Sequence, residues 1–168
     1  MKENKSIEPG LPAPKALAEE ILAQAIGLVE ALPNLLQDKK DLSNESLQDM
    51  LISFSQILLL GFSSSFARLY PDQDLSAYEN EVFLELARLT LAEILQREPT
   101  PSEKEYFLTF FRSHFELLRR ELAYEHDSSE EEEILDLELK RRLEDLLRRF
   151  ISQEGEIRYG EEESGNPL

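Results

Sequence analysis

The sequence contains no cysteine and no tryptophan, and it has only two histidines among 168 residues. The absence of cysteine excludes a disulfide scaffold, a thiolate metal site and a cysteine nucleophile. Basic residues are also scarce, because 18 Lys and Arg stand against 35 Asp and Glu and give a net charge of −17. Such a charge disfavours sequence-independent binding to nucleic acid or to an anionic membrane. We therefore expect a protein partner, above all a basic one.

Long apolar runs and the common catalytic motifs are missing as well. Residues 50–67 carry no charge, but serines and a glutamine interrupt them, which indicates a buried helix and not a membrane span. The first residues lack the apolar segment of a secretory signal, so we predict a cytoplasmic protein. No Gly-rich phosphate loop, Gly-x-Ser-x-Gly or His-Glu-x-x-His motif is present. We therefore assign no catalytic residue, no metal site and no cofactor.

What the sequence does contain is a helical pattern. Hydrophobic residues make up 41% of the chain, enough for one core, and they recur at intervals of three and four. The pattern predicts an all-α, single-domain bundle of about five helices over residues 14–153. A flexible arm over 1–13 and a disordered acidic tail over 154–168 complete the predicted organisation.

Punctuation residues predict where each helix begins and ends. Pro14 suits the first turn of the first helix, Ser76 and Glu79 form a capping box, and Thr100, Pro101 and Glu103 give the clearest start. The predicted helices are 14–32, ended by Pro33, then 45–70, 76–97, 101–124 and 128–153. The second helix is apolar on all sides, which predicts that it is central. Its small residues, Gly61 and the serines at 63–65, predict the close approach of a neighbour.

The fourth helix concentrates aromatic residues on one broad face around a histidine. We predict a partner groove beside this face and the small-residue patch of the second helix, with an apolar floor and an acidic rim. The predicted partner-binding residues are Phe107, Phe110, Phe111, His114, Gly61 and Ser64.

One group of residues on these helices suggests metal binding or acid-base catalysis. His114 shares its face with Glu121, and Glu93 lies on an apolar face of the third helix, so the three could converge on a metal or act in acid-base catalysis. Helical di-metal sites need Glu-x-x-His on two helices, and residue 111, three before His114, is a phenylalanine. We therefore favour a His114 that is satisfied by a buried partner.

The last helix carries a basic cluster that resembles a phosphate-binding patch. Acidic residues precede its bases by four positions, in the order that stabilises a helix. The predicted pairs are Asp136 with Lys140, Glu138 with Arg142, Glu144 with Arg148, and Asp145 with Arg149. This predicts a solvated, salt-bridged face.

Arg120 precedes His126 by six residues near the end of the fourth helix. This seven-residue segment resembles the arginine–histidine pair of HEPN-type helical ribonucleases. The resemblance implies that the pair could activate a 2′-hydroxyl and stabilise a phosphate. Glu121 replaces the polar residue usual after that arginine.

These patterns favour an acidic, all-helical interaction module of the chaperone, adaptor or anti-factor type that engages a protein partner. The first alternative is a structural subunit of a helical homo-oligomer, with a homodimer as the simplest form. The second is a HEPN-like ribonuclease that uses Arg120 and His126, which leaves enzymatic activity the less favoured interpretation.

Overall fold

The computed structural model describes residues 12–35, 43–122 and 130–150. The predictions for residues 1–11, for the acidic tail and for His126 lie outside these residues. Within them, the chain forms five helices and no strand. The helices are α1 (Pro14–Leu35), α2 (Asn44–Leu69), α3 (Ser76–Leu95), α4 (Pro101–Leu122) and α5 (Glu130–Phe150). The predicted all-α bundle is confirmed.

The end of α1 differs from the prediction, because the helix continues through Pro33 to Leu35. Proline lacks the backbone N–H that an interior helical position donates. In the last turn this removes a single helical hydrogen bond, so the helix extends by three residues beyond the predicted end at residue 32.

The start of α4 is the predicted capping box. The backbone N–H of Glu103 donates to Thr100 Oγ1 at 3.2 Å, and the N–H of Thr100 donates to Glu103 Oε1 at 2.9 Å. Arg97 adds two hydrogen bonds to the same carboxylate, at 2.9 and 2.7 Å. The loop before α4 is therefore fixed to the first turn of the helix by one glutamate.

The predicted capping role of Ser76 in α3 is wrong. Ser76 is the first residue of the helix, and Leu75 occupies the capping position without a side-chain hydrogen bond. The backbone N–H and the hydroxyl of Ser76 both donate to Asp74 Oδ1, at 3.1 and 2.7 Å. A carboxylate accepts hydrogen bonds more strongly than a hydroxyl, so Asp74 binds the first residue of the helix and Ser76 acts as a donor instead of a cap.

Helix α2 is central, as predicted, because it packs against all four other helices. The neighbours form an open ring in the order α5, α1, α3, α4, since each consecutive pair is in contact. By length and composition α2 could cross a membrane, but 56% of its most apolar window is buried inside the bundle. The core helix of a soluble bundle has the same composition.

The core lies between α2 and this ring of helices. Its largest fully buried side chains come from every helix: Leu17, Ile21, Leu28 and Leu32 of α1, Leu58, Leu59 and Phe62 of α2, Val82 and Leu86 of α3, Phe111 of α4 and Leu146 of α5.

Two glycines allow α5 to approach its neighbours closely. A Cβ atom added to Gly61 of α2 would lie 2.6 Å from Leu143 Cδ2 of α5. A Cβ atom added to Gly27 of α1 would lie 2.7 Å from the Arg142 guanidinium, which donates to Gln24 Oε1 at 3.1 Å. The close approach predicted at Gly61 is confirmed, whereas the one at Gly27 is not predicted by the sequence pattern.

Glu103 makes bundle stability depend on pH. Hydrogen bonds from Arg97 and from the Thr100 backbone lower the pKa of Glu103 from its usual 4.5 to about 2. Because the folded state holds the lower pKa, this stabilisation is complete above pH 4.5 and is lost as the pH falls toward 2. The variant E103Q should be less stable than the wild type at pH 7, as measured by urea unfolding, and this difference should shrink below pH 4.5.

Glu105 provides the control, since it is exposed two residues later on the same helix. The variant E105Q should unfold at nearly the same urea concentration as the wild type at both pH values. A stability difference for E103Q that stayed constant from pH 7 to pH 2.5 would contradict this role of the ion pair.

Candidate functional site: a groove between α4 and α5

A groove opens where the ring of helices around α2 is incomplete. Helices α4 and α5 both pack on α2, but in the described residues they do not contact each other. The space between them has a volume of about 630 Å³. Its lining comes from three helices: Ile57, Leu58, Leu60, Gly61 and Ser64 of α2, Arg119 of α4, and Asp136, Leu139, Lys140 and Leu143 of α5.

The floor of the groove is one face of α2. Ile57, Leu60, Gly61 and Ser64 follow the spacing of three and four that brings residues onto one side of a helix. Ile57, Leu60 and Gly61 are half-buried and Ser64 is exposed, whereas Leu58, Leu59 and Phe62 beside them are buried. The ring thus covers most of α2 and leaves this stripe open.

The rim of the groove carries more positive than negative charge. Arg119 and Lys140 line it together with one acidic residue, Asp136. The Arg119 guanidinium lies 4.9 Å from the centre of the Phe115 ring, a cation–π arrangement that holds it over α4. The groove between α4 and α5 thus has a rim of opposite sign to the acidic rim that the sequence predicts beside the aromatic face of the fourth helix.

The ion pairs among the described residues of α5 leave Lys140 without a carboxylate partner beside the groove. The predicted pair of Glu138 with Arg142 forms, at 3.3 Å, and Glu138 also binds Arg141. Among the residues that the structure describes, the Asp136 carboxylate and the Lys140 ammonium group lie more than 4 Å apart and form no ion pair.

The remaining predicted pairs of α5 rearrange. Arg148 binds Asp145 at 3.1 Å in place of Glu144, and Arg149 binds Glu20 of α1 at 3.4 Å. The predicted pairs of Glu144 with Arg148 and of Asp145 with Arg149 are therefore wrong. Side chains three residues apart are also neighbours on a helix, and spacing alone does not distinguish them from those four apart.

The structure separates the predicted partner-binding residues into two groups. Gly61 and Ser64 line the groove, but the residues predicted on α4 do not. Phe111 is fully buried against Phe83 and belongs to the core. Phe107 is half-buried, and Phe110 is exposed to 45% on the outer side of α4. The aromatic face is thus divided between core and surface.

His114 has a buried hydrogen-bond partner, as predicted. Gln56 of α2 is fully buried, and its amide Nε2 donates to the Phe111 carbonyl at 2.9 Å. A carbonyl only accepts, so this bond fixes the amide orientation and turns Gln56 Oε1 toward His114 Nδ1, 2.6 Å away. The oxygen also only accepts, and Nδ1 must therefore carry the proton. This network joins α2 to α4.

His114, Glu93 and Glu121 do not converge. Glu121 is exposed, and the Glu93 carboxylate on α3 accepts a hydrogen bond from the Gln96 amide at 3.4 Å. Within residues 12–35, 43–122 and 130–150 no group of three His, Asp or Glu side chains could hold a metal ion. Arg120 is exposed at the end of α4, and its predicted ribonuclease partner, His126, lies outside the described residues.

A second, smaller cavity of about 280 Å³ lies where α2 turns into α3. Phe62 and Phe66 of α2, Tyr70 directly after it and Tyr78 of α3 line this cavity, and the Tyr78 hydroxyl donates to the Pro12 carbonyl at 2.8 Å. Pro12, at the end of the predicted flexible arm, is itself buried. This cavity therefore adjoins the point where the chain enters α1.

Comparisons with protein-family models, with curated proteins and with solved structures found no match for this chain.

Replacing the central amide tests the network between α2 and α4. The variant Gln56→Leu keeps a similar volume but leaves His114 Nδ1 and the Phe111 carbonyl without their partner. We expect a loss of about 1–3 kcal/mol in the free energy of unfolding, measured with urea. The matched variant Gln48→Leu, at an exposed position of the same helix, should change it by less than ~0.5 kcal/mol. Equal stability of the two variants would contradict the network.

Proposed function

We propose that this protein is an interaction module whose groove between α4 and α5 receives an apolar helix of a protein partner. The observation that carries the proposal is the open stripe of α2. Ile57, Leu60 and Gly61 are only half-buried although they belong to a helix that carries no charged residue between positions 50 and 67. An amphipathic helix in the groove would complete the ring around α2 and bury this stripe.

The floor of the groove suits a helix as occupant. The small, exposed Ser64 leaves room for the backbone of a second helix to approach, while Ile57 and Leu60 offer the apolar surface for its side chains. The groove volume of about 630 Å³ is comparable to that of sites that hold several side chains. Apolar anchors at positions i, i+3 and i+7 of the partner would match the stripe.

The rim favours a partner helix with acidic flanks. Arg119 and Lys140 form no ion pair in the described chain, so their charges are available to carboxylates at the groove. The net charge of −17 attracts basic proteins over long distances. At the groove itself, the positive rim favours acidic residues of a partner, because charges at contact distance determine which partner fits.

Photo-crosslinking from the groove tests this function. A benzoylphenylalanine at position 64 would lie on the floor, and the same residue in place of Asn80, on the exposed side of α3, provides the control. In cells that make the protein, position 64 should yield an adduct with one foreign polypeptide through a segment with an amphipathic helical pattern. Position 80 should not yield that adduct.

The identified segment is then tested as a synthetic peptide. Ser64→Arg fills the groove with a long charged side chain at an exposed position, whereas Asn80→Arg adds the same charge outside it. We expect Ser64→Arg to weaken peptide binding at least ~10-fold, since it removes about 1.4 kcal/mol or more of binding free energy, and Asn80→Arg to leave it unchanged. Adducts common to positions 64 and 80, or equal binding by both variants, would contradict the proposal.

A further inference from the structure

The outer side of α4 exposes a stripe of large apolar residues that the groove does not use. Tyr106 is exposed to 82%, Phe110 to 45% and Leu117 to 56%. Their spacing of four and seven places them, together with the exposed Ser113, within an arc of about 60° on the helix. Helix α4 packs only on α2 and α3, so within the described chain no helix covers this stripe.

The stripe is complementary to itself when two copies of α4 run in opposite directions. With a two-fold axis midway between residues 110 and 113, Tyr106 of one copy faces Leu117 of the other. The same axis places the large Phe110 opposite the small Ser113. Both pairings occur twice, as a two-fold interface requires.

The charged residues at the ends of the stripe fit the same register. Glu103 on the first turn of α4 would face Arg120 on its last turn, again at both ends of the interface. Arg120 is exposed and forms no ion pair with the described residues, and Glu103 retains 36% side-chain exposure beside Arg97. The opposite orientation of the helix dipoles also favours the antiparallel arrangement over the parallel one.

We infer that α4 is a dimerisation surface, on which a second copy of this chain packs its own α4 in antiparallel register. Tyr106, Phe110 and Leu117 supply the buried area, and Glu103 and Arg120 set the direction. The interface uses residues outside the groove between α4 and α5. It is thus independent of the proposed function, and either can fail without the other.

Light scattering on the full chain tests the dimer. The wild type should have twice the single-chain mass of 19.4 kDa. Leu117→Glu places a charge opposite Tyr106 in the apolar part of the interface and should give the single-chain mass. Leu137→Glu is the matched control, because Leu137 is exposed to 67% on α5, and this variant should stay dimeric. Far-ultraviolet circular dichroism should show equal helix content for both variants.

The register is tested by crosslinking, which the absence of native cysteine simplifies. Along the helix axis, two copies of residue 113 would be offset by ~5 Å and two copies of residue 102 by ~28 Å. The variant Ser113→Cys should therefore be joined to itself by a short bismaleimide, and Ser102→Cys should not. A mixture of Ser102→Cys and Glu121→Cys should form crosslinked heterodimers, since these positions face each other.

Three results would overturn the inference. The first is a single-chain mass for the wild type at every concentration up to its solubility limit. The second is a dimer that persists in Leu117→Glu or dissociates in Ser64→Arg, because the interface would then lie elsewhere. The third is efficient crosslinking of Ser102→Cys to itself, because the proposed register separates the two copies of residue 102 by ~28 Å.

Discussion

The fold depends on the burial of α2, a helix of 26 residues that is apolar nearly all round. Water cannot solvate such a helix favourably, so its sides must be covered by other helices. The described part of the chain supplies only four neighbours, whereas enclosing a cylinder with others of the same diameter of about 10 Å takes about six. The other helices therefore form an open ring, and the groove between α4 and α5 is the consequence of this shortage.

Two kinds of contact attach the ring to α2. On one side, Gly61 allows α5 to approach until Leu143 packs directly over its Cα atom. On the other side, the buried Gln56 amide bonds to the Phe111 carbonyl and to His114 of α4. The first contact is apolar and non-directional, while the second requires hydrogen-bond geometry. Together they hold α4 and α5 on either side of the stripe that Ile57 and Ser64 mark.

The helices and the central position of α2 could be predicted because the spacing of apolar residues and the residues that begin and end helices are local features of the sequence. The spacing of Thr100 and Glu103 alone predicts the capping box. The missing side chain of Gly61 predicts the close approach of a neighbouring helix. The groove residues Arg119 and Lys140 could not be predicted, because spacing does not determine which carboxylate each base meets. Phe111 and Phe110 are adjacent on one face, and only the packing of α3 decides that the first is core and the second surface.

The exposure of the α2 stripe can be measured directly, because the chain contains no cysteine. Ser64 is exposed in the groove, and the neighbouring Ser65 is buried with 9% exposure. Single Ser→Cys variants at the two positions should react with a maleimide at very different rates. Residue 64 should react nearly as fast as an unstructured peptide, and residue 65 orders of magnitude more slowly, because its labelling requires local opening. Equal protection of both cysteines would show that the stripe is covered and would contradict this account.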